Sequence, residues 1–325
     1  MAKVTSYDVA KRAGVSQSAV SRTFSNGGKV AADTRAKVLA AAKALGYQPN
    51  VLARSLITGQ SGMVAVIVSQ TSSRYYPEIV ELLAGALERA GKKMLLFYTD
   101  GRIDRVEAVL QEVGKYQVDG IIATTQFAPD KREMIRALNR PMVLMNRLDP
   151  QGEFASVICE QTLGGAQLAA ALVNAGRHRV MLLSGPKDNF VARHRLMGAM
   201  DGLGSAHLDT LTGDFSYESG LNAAHQLVSA KPDAIMCMND SMAMGVIDGL
   251  DRLGVDVPGQ VWVTGFDGSV AGALARYNLT TFAQPLPDMV NDSVELLIGQ
   301  MDSPDESPQS LVHQGALRVG TTAPL

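Results

Sequence analysis

The chain has 325 residues, 46% of them hydrophobic and 19% charged, with a net charge of −2. That length exceeds one ordinary domain and that balance suits a soluble protein with a sizeable core, so two or three folded units are expected. No apolar run approaches the ~18 residues of a membrane span. The N-terminus, MAKVTSYDVAKRAG, lacks the apolar stretch of a secretion signal. The two cysteines, Cys159 and Cys237, lie outside any CxxC spacing and read as buried reduced thiols. Together these features point to a cytoplasmic protein with no membrane partner.

Charge is distributed unevenly. Residues 1–60 carry nine basic and two acidic side chains, a local balance of +7, and the remainder carries −9. A basic head on an acidic body suggests a polyanionic partner for the head alone.

The head reads as short helices. Thr5, three residues before Asp8, makes a capping box that opens a first helix, with Val9, Ala10 and Ala13 on its inner face. Gly14 suits the tight turn that follows. Ser16 caps a second helix with Ala19 and Val20 inside, leaving Gln17, Ser18, Ser21 and Arg22 outside. Side chains of those types reach base edges and phosphates in a major groove. A third helix over about 32–45 closes the bundle with Val38, Leu39, Ala42 and Leu45, and Gly46 stops it. In QPNVLARSLITG, 48–59, Pro49 suits a first helical turn and Asn50 can cap it. A helix that short is marginal alone in water, so it is expected to fold only on binding.

From Gly62 the texture changes. Continuous apolar runs at 63–70, 93–99, 120–125, 141–147, 156–159, 179–185, 234–239 and 260–266 alternate with helical periods such as 77–91 and 164–176. That alternation predicts parallel sheets covered on both faces. VDGIIAT then RPMVLMNR (118–147) parallels PDAIMCM then GQVWVTGFD (232–267), which suggests two similar lobes with a cleft between them. Ligands of such sheets bind beyond the carboxyl ends of the strands. Ser303–Ser310 reads as a polar loop leading into a last strand near 316–319. Trp262 and the Met-rich run 236–245 read as core. The five histidines have no metal-ligand spacing, so no metal is expected. No GxGxxG follows a strand, no GxxxxGK occurs, and no Ser/His/Asp or Cys/His grouping stands out, which argues against an enzyme and against a cofactor.

The stretch VTSYDVAKRAGVSQSAVSRTFS…VAADTRAKVLAAAKALGYQPNVLARSL resembles the head of the lactose-repressor/galactose-repressor (LacI/GalR) family. The body, with TTFAQP (280–285) and ALRVGTT (316–322), resembles that family's effector core. The resemblance implies an all-α helix-turn-helix head plus a two-lobed, periplasmic-binding-protein-like α/β core. The expected parts are a DNA-binding domain over 1–47, a hinge helix over 48–60 and an effector-binding and dimerisation core over 61–325. Within the core, lobe 1 would take 61–157 plus 286–325 and lobe 2 would take 158–285. The function it implies is a repressor that binds a pseudo-palindromic operator as a homodimer and is switched by a small sugar, sugar acid or sugar phosphate. The absence of a trailing heptad helix before Leu325 favours a dimer over a tetramer.

By the same resemblance, Gln17 and Ser18 read base edges and Arg22 reaches a guanine. Tyr7, Ser16, Ser21 and Asn26 meet phosphates or the DNA backbone, and Thr5 belongs to the same DNA-binding set. Asn50, Ala53 and Leu56 belong to the hinge, with Leu56 wedged into the minor groove. The implied effector residues are Ser69, Tyr75, Tyr76, Thr124, Asn146, Arg195, Phe215, Asn239, Asp240, Asp267 and Gln284. Planar donors and carboxylates around an aromatic platform suit a polyhydroxylated ring. Structural alternatives stand beside these roles: Asp267 as a turn residue, Asp240 as a helix cap, Phe215 as core, Arg195 in a surface or interlobe ion pair. Arg147 adds a positive group suited to an acidic ligand, or pairs with Asp149. Two other functions fit the same features: an activator or global regulator that answers to a protein partner, and a sugar-binding protein without DNA. The basic head argues against the second.

Overall fold

The computed structural model describes residues 4–24, 29–48, 60–69, 75–99, 106–125, 127 and 129–325, and divides into two compact units, Met1–Ser61 and Gly62–Leu325.

Among its described residues the first unit holds three helices, α1 (Ser6–Ala13), α2 (Gln17–Thr23) and α3 (Ala32–Leu45). The Asp8 carboxylate accepts from the Thr5 backbone N–H at 2.9 Å and from its hydroxyl at 2.7 Å, which closes the start of α1. Those bonds, the backbone one first, lower the Asp8 pKa. Gly14 ends the helix at φ +66°, the left-handed region where a side chain would be strained. Ser16 caps α2 by accepting from the Ala19 N–H at 3.3 Å. Val9, Ala10, Val20, Val38, Ala41 and Ala42 form the core, with Leu45 and Tyr47 packed against it. Leu39, expected inside, is 46% exposed. The buried stripe of α3 runs Val38, Ala41, Ala42, Leu45, an i, i+3, i+4, i+7 set, and Leu39 lies about 100° off it.

The second unit contains two six-stranded sheets. Its elements in chain order are β1 (Met63–Ser69), α4 (Tyr75–Arg89), β2 (Lys93–Thr99), α5 (Val106–Lys115), β3 (Gly120–Ala123), α6 (Arg132–Ala137), β4 (Met142–Met145), β5 (Ala155–Cys159), α7 (Gln161–Asn174), β6 (Val180–Ser184), α8 (Phe190–Leu203), β7 (His207–Thr212), α9 (Tyr217–Ser229), β8 (Ala234–Cys237), α10 (Asp240–Arg252), β9 (Trp262–Asp267), β10 (Thr280–Ala283), α11 (Leu286–Asp302), β11 (Ser310–His313) and β12 (Ala316–Arg318). The first sheet runs β11-β5-β4-β3-β1-β2 and the second β12-β10-β9-β8-β6-β7; among these only the β10–β12 pair is antiparallel. β3, β4, β6, β8 and β9 are buried at every residue, as strands covered on both faces must be. Trp262 and the methionines of the 236–245 run are core, and both cysteines are buried free thiols; burial pushes Cys159 up to about 11.

Three connections join the lobes: β5 to α7 at Glu160, β10 to α11 at Gln284–Pro285, and β11 to β12 at Gln314–Gly315. The tail therefore differs from the expected division. Ser310–His313 is a strand of the first sheet, parallel to β5, and Ala316–Arg318 crosses back to the second sheet against β10. The last strand stands where it was expected, near 316–319, but β11 was not foreseen, because it is short and only partly buried and so carries no apolar run.

Helix pairs in the second lobe meet at glycines. A Cβ on Gly198 would collide with the Thr162 carbonyl of α7, and one on Gly245 with the Tyr217 carbonyl of α9. In an exposed helix Gly→Ala gains roughly 1 kcal/mol of propensity. At Gly198 the clash is with backbone and must win. Gly198→Ala is expected to destabilise the core by about 1–3 kcal/mol, read as a lower midpoint in urea unfolding of the full chain.

Candidate functional site

The second lobe carries a closed polar ring beneath the cleft. Arg195 of α8 is 3% exposed, and each of its three nitrogens donates one bond. Its Nε donates to Gln161 Oε1 at 2.7 Å, Nη1 to the Met238 carbonyl at 2.6 Å and Nη2 to Asp267 Oδ1 at 2.8 Å. Gln161 Nε2 donates to Gln284 Oε1 at 3.1 Å, and Gln284 Nε2 returns to Asp267 Oδ1 at 2.9 Å. The guanidinium carbon also lies 3.8 Å from the centre of the Phe266 ring, which in turn packs on Phe282. The pair is internal to the second lobe, neither a surface nor an interlobe bridge.

Above this ring a cleft of about 400 Å³, counting its open mouth, is lined from the first lobe by Tyr75, Tyr76, Asn146 and Arg147 and from the second by Asn189, Val191, Arg195, Phe215, Asn239 and Asp267. Every liner except Arg195, which reaches in from the second turn of α8, sits at or after a strand's carboxyl end or at the start of the following helix, where a parallel sheet places ligands. Three of them are held in left-handed backbone, Asn146 at φ +56°, Phe215 at +69° and Asp267 at +131°. Such residues cost of order 1–3 kcal/mol each and cluster where a protein works on something. The surroundings hold them there. The Phe215 carbonyl accepts from Asn239 Nδ2 at 2.9 Å, and its ring stands where a Cβ on Gly185 would be. Asn239 also caps α10 by accepting from the Met242 N–H.

The expected effector residues divide into two groups. Tyr75, Tyr76, Asn146, Arg195, Phe215, Asn239 and Asp267 line the cleft together. Asp240, Thr124 and Gln284 do not. Asp240 lies below, its carboxylate accepting from the Ser269 N–H and hydroxyl at 2.7 and 2.8 Å and from the Thr281 hydroxyl at 2.6 Å, so its acceptors serve the fold. Burial raises its pKa against those bonds. Thr124 bonds to the Ile67 carbonyl, tying β3 to β1. Gln284 supports Asp267 from behind. Ser69 ends β1, and its side chain lies outside the described residues. Sequence reasoning missed Asn189, Val191 and Gln161. Asn189 follows β6 and Gln161 follows β5, so the strand-end rule applied to every strand would have found both. Arg147 does not pair with Asp149, because Asp149 is taken by Arg132.

In the head, Ser18, Ser21 and Arg22 lie on the exposed side of α2, opposite buried Ala19, Val20 and Thr23. Gln17 is half-buried and reaches Ser6 Oγ at 3.4 Å; Ser16 and Ser18 hydroxyls meet at 2.9 Å; Arg22 Nε donates back to the Ser18 carbonyl at 3.3 Å. Tyr7 is 70% exposed, and Thr5 is exposed at its cap. Asn26, Asn50, Ala53 and Leu56, with most of the 48–60 segment, lie outside the described residues.

Known proteins match this two-part arrangement. The family described as "Bacterial regulatory proteins, lacI family" matches residues 5–50, and "Periplasmic binding protein-like domain" matches residues 169–322. The ribose operon repressor of Escherichia coli (strain K12) is 30% identical over 316 residues, which cover 94% of this chain and 96% of that protein. The chain belongs to the LacI family. The HTH-type transcriptional repressor PurR of Proteus mirabilis (strain HI4320) is 29% identical over 94% of this chain and 93% of its own length. Among solved structures, the lac repressor dimer bound to operator and the anti-inducer ONPF superposes with a TM-score of 0.88 at 26% identity, over 99% of both chains. A transcriptional regulator CelR–cellobiose complex superposes at 0.74 with 27% identity, covering 99% of this chain and 100% of that one. The LacI-family fold, a helical head and a two-lobed core of mainly parallel sheets, is therefore that of this chain, and its relatives are repressors, not enzymes.

Two outcomes follow from the ring. Removing one partner of a buried ion pair strands the other, so Arg195→Ala is expected to lower core stability by about 3–5 kcal/mol in denaturant unfolding. Asp267 is pushed up to about 7, by burial first and against the pull of Arg195. An unfolded aspartate titrates near ~3.9, so the folded chain holds this proton more firmly than the unfolded one does. The resulting stabilisation is complete below the unfolded value and fades as pH rises through about 7. Asp267→Asn is expected to flatten the stability profile between pH 5 and 8, which thermal unfolding across that range would show.

Proposed function

We propose that the chain is a DNA-binding repressor that acts in the cytoplasm as a homodimer, grips a pseudo-palindromic operator through its head, and is switched by a polyhydroxylated metabolite in the cleft. One observation carries the effector half: a strained, hydrogen-bonded constellation of three asparagines, an aromatic platform and the Arg195–Asp267 pair lines one cleft between two lobes. Asparagine and carboxylate oxygens accept hydroxyl protons, amide and guanidinium N–H groups donate to hydroxyl oxygens, and the Phe215 face covers the apolar side of a sugar ring. The lac repressor–ONPF and CelR–cellobiose complexes, each with a small molecule bound, support that reading. No helix among the described residues is long and apolar enough to cross a membrane.

The head supplies the other half. Gln17, Ser18 and Arg22 present base-reading chemistry from α2, while Thr5, Tyr7, Ser16, Ser21 and Asn26 serve the phosphates. Residues 48–60 connect the units, with Asn50, Ala53 and Leu56 in the minor groove. The cleft controls DNA only through differential affinity: a ligand that closes the lobes shifts the dimer toward whichever DNA-binding state shares that closure. At one point the lobes already touch, where the Glu78 carboxylate of α4 accepts from the Val270 N–H at 2.7 Å.

The test is duplex binding by fluorescence anisotropy, using fragments of the promoters nearest the gene and a metabolite panel. Affinity is expected to fall steeply with salt, with a log–log slope near −0.9 per phosphate neutralised. Arg22→Ala should relax preference at one symmetric operator position by about 1–3 kcal/mol while leaving the others ranked as before. A full-length protein that ignores every duplex at low salt would remove the repressor reading.

A further inference from the structure

A second space opens beside the cleft, on the far side of Arg147. It is a wide chamber of about 1000 Å³ counting its open mouth, walled from the first lobe by Phe127, Ile135 and Phe154 and from the second by Phe190 and Arg193. Arg147 lines both spaces, so its side chain stands where the two meet or are divided, within reach of a ligand in either.

The charges around this junction do not balance. Arg195 is neutralised by Asp267. Arg132 is neutralised by Asp149 and Glu153, and Asp149 further accepts the N–H groups of Gln151, Glu153 and Phe154, which exhausts it. Among the described residues no carboxylate lies within ion-pairing distance of Arg147 or Arg193. Arg193 is exposed and can use water. Arg147 cannot: it is 7% exposed, Nη1 donates to the Asn146 carbonyl at 2.6 Å, and Nε is buried with no acceptor. A buried guanidinium without an anion is costly, and among the described residues nothing offsets the cost. Its planar fork matches a carboxylate or a phosphate. The aromatic and aliphatic walls beyond suit the faces of a further ring.

We infer that the effector is an anionic carbohydrate: its polyol ring sits on the Arg195–Asp267 side, its carboxylate or phosphate meets Arg147, and the chamber takes whatever extends further. This rests on the reading of the cleft as the effector site. The anion restores neutrality at the junction, Arg147 supplies two donors, and Arg193 adds long-range attraction from the chamber rim.

The test is calorimetry on the full-length protein with matched probes at constant ionic strength: glucose, glucuronate and glucose 6-phosphate; ribose, ribonate and ribose 5-phosphate; lactose and lactobionate. The expected result is that at least one acid binds tenfold or more tightly than its neutral partner, with the carboxylate and phosphate arms identifying which anion is used. Arg147→Gln should bring that ratio to within twofold of one, and Arg147→Lys should keep part of it. Arg193→Gln, on an exposed helical turn and no threat to folding, should lower it about threefold. The inference is overturned if no acid binds, if neutral partners bind as tightly, or if the preference survives Arg147→Gln. Neutral binding without acid preference leaves the cleft reading standing, whereas silence from every carbohydrate removes that reading too.

Discussion

The buried Arg195–Asp267 pair is the constraint around which the core is arranged. A guanidinium and a carboxylate so far from water are tolerable only when every remaining donor and acceptor is used. Here Gln161, Gln284 and the Met238 carbonyl supply what is missing. Gln161 follows β5 and Gln284 follows β10, so both belong to connections that carry the chain between the lobes. The ring is thus both the floor of the cleft and a fastening on two of its three crossovers. A ligand that draws on Asp267 or Arg195 pulls on groups that also hold those connections, which gives occupancy a physical route to lobe geometry.

The same arrangement explains why backbone strain gathers at this place. Asn146, Phe215 and Asp267 all turn left-handed just past strand ends. A strand that continued regularly would bury its next side chains in the sheet; a left-handed turn instead aims the side chain into the cleft. The strain is held by ordinary packing around it, such as the Phe215 ring against Gly185 and the Asn239 amide on the Phe215 carbonyl. Preorganised polar groups lose little freedom when a ligand arrives, so affinity rests on chemistry already in position.

Much of this was legible in the residues. Apolar runs alternating with helical periods announced parallel sheets, and the family resemblance pointed to Tyr75, Tyr76, Asn146, Asn239 and Asp267, which fall past strand ends as the rule for such sheets requires. The head was legible because its signals are local: Thr5–Asp8, Gly14 and Ser16 act within one helical turn. What escaped was long-range. Leu39 looked like core because it is apolar, and only the helix phase sends it outward. Asp240 and Asp267 look alike in sequence, each acidic and each near a strand's carboxyl end. Which of them faces a ligand and which is consumed by Ser269 and Thr281 depends on neighbours 29 and 41 residues away in the chain.

By itself, then, the sequence determined the two-part architecture, the basic reading head and the family, since periodicity, capping and local charge are encoded within a few residues of each other. Tertiary structure alone decided the pairing of charges. That Asp149 serves Arg132 and leaves Arg147 without an anion among the described residues, and that the final strand returns to the second lobe, are outcomes of chain segments meeting across long separations. Buried charge is priced by its whole surroundings rather than by its neighbours in sequence, and only the folded chain assembles those surroundings.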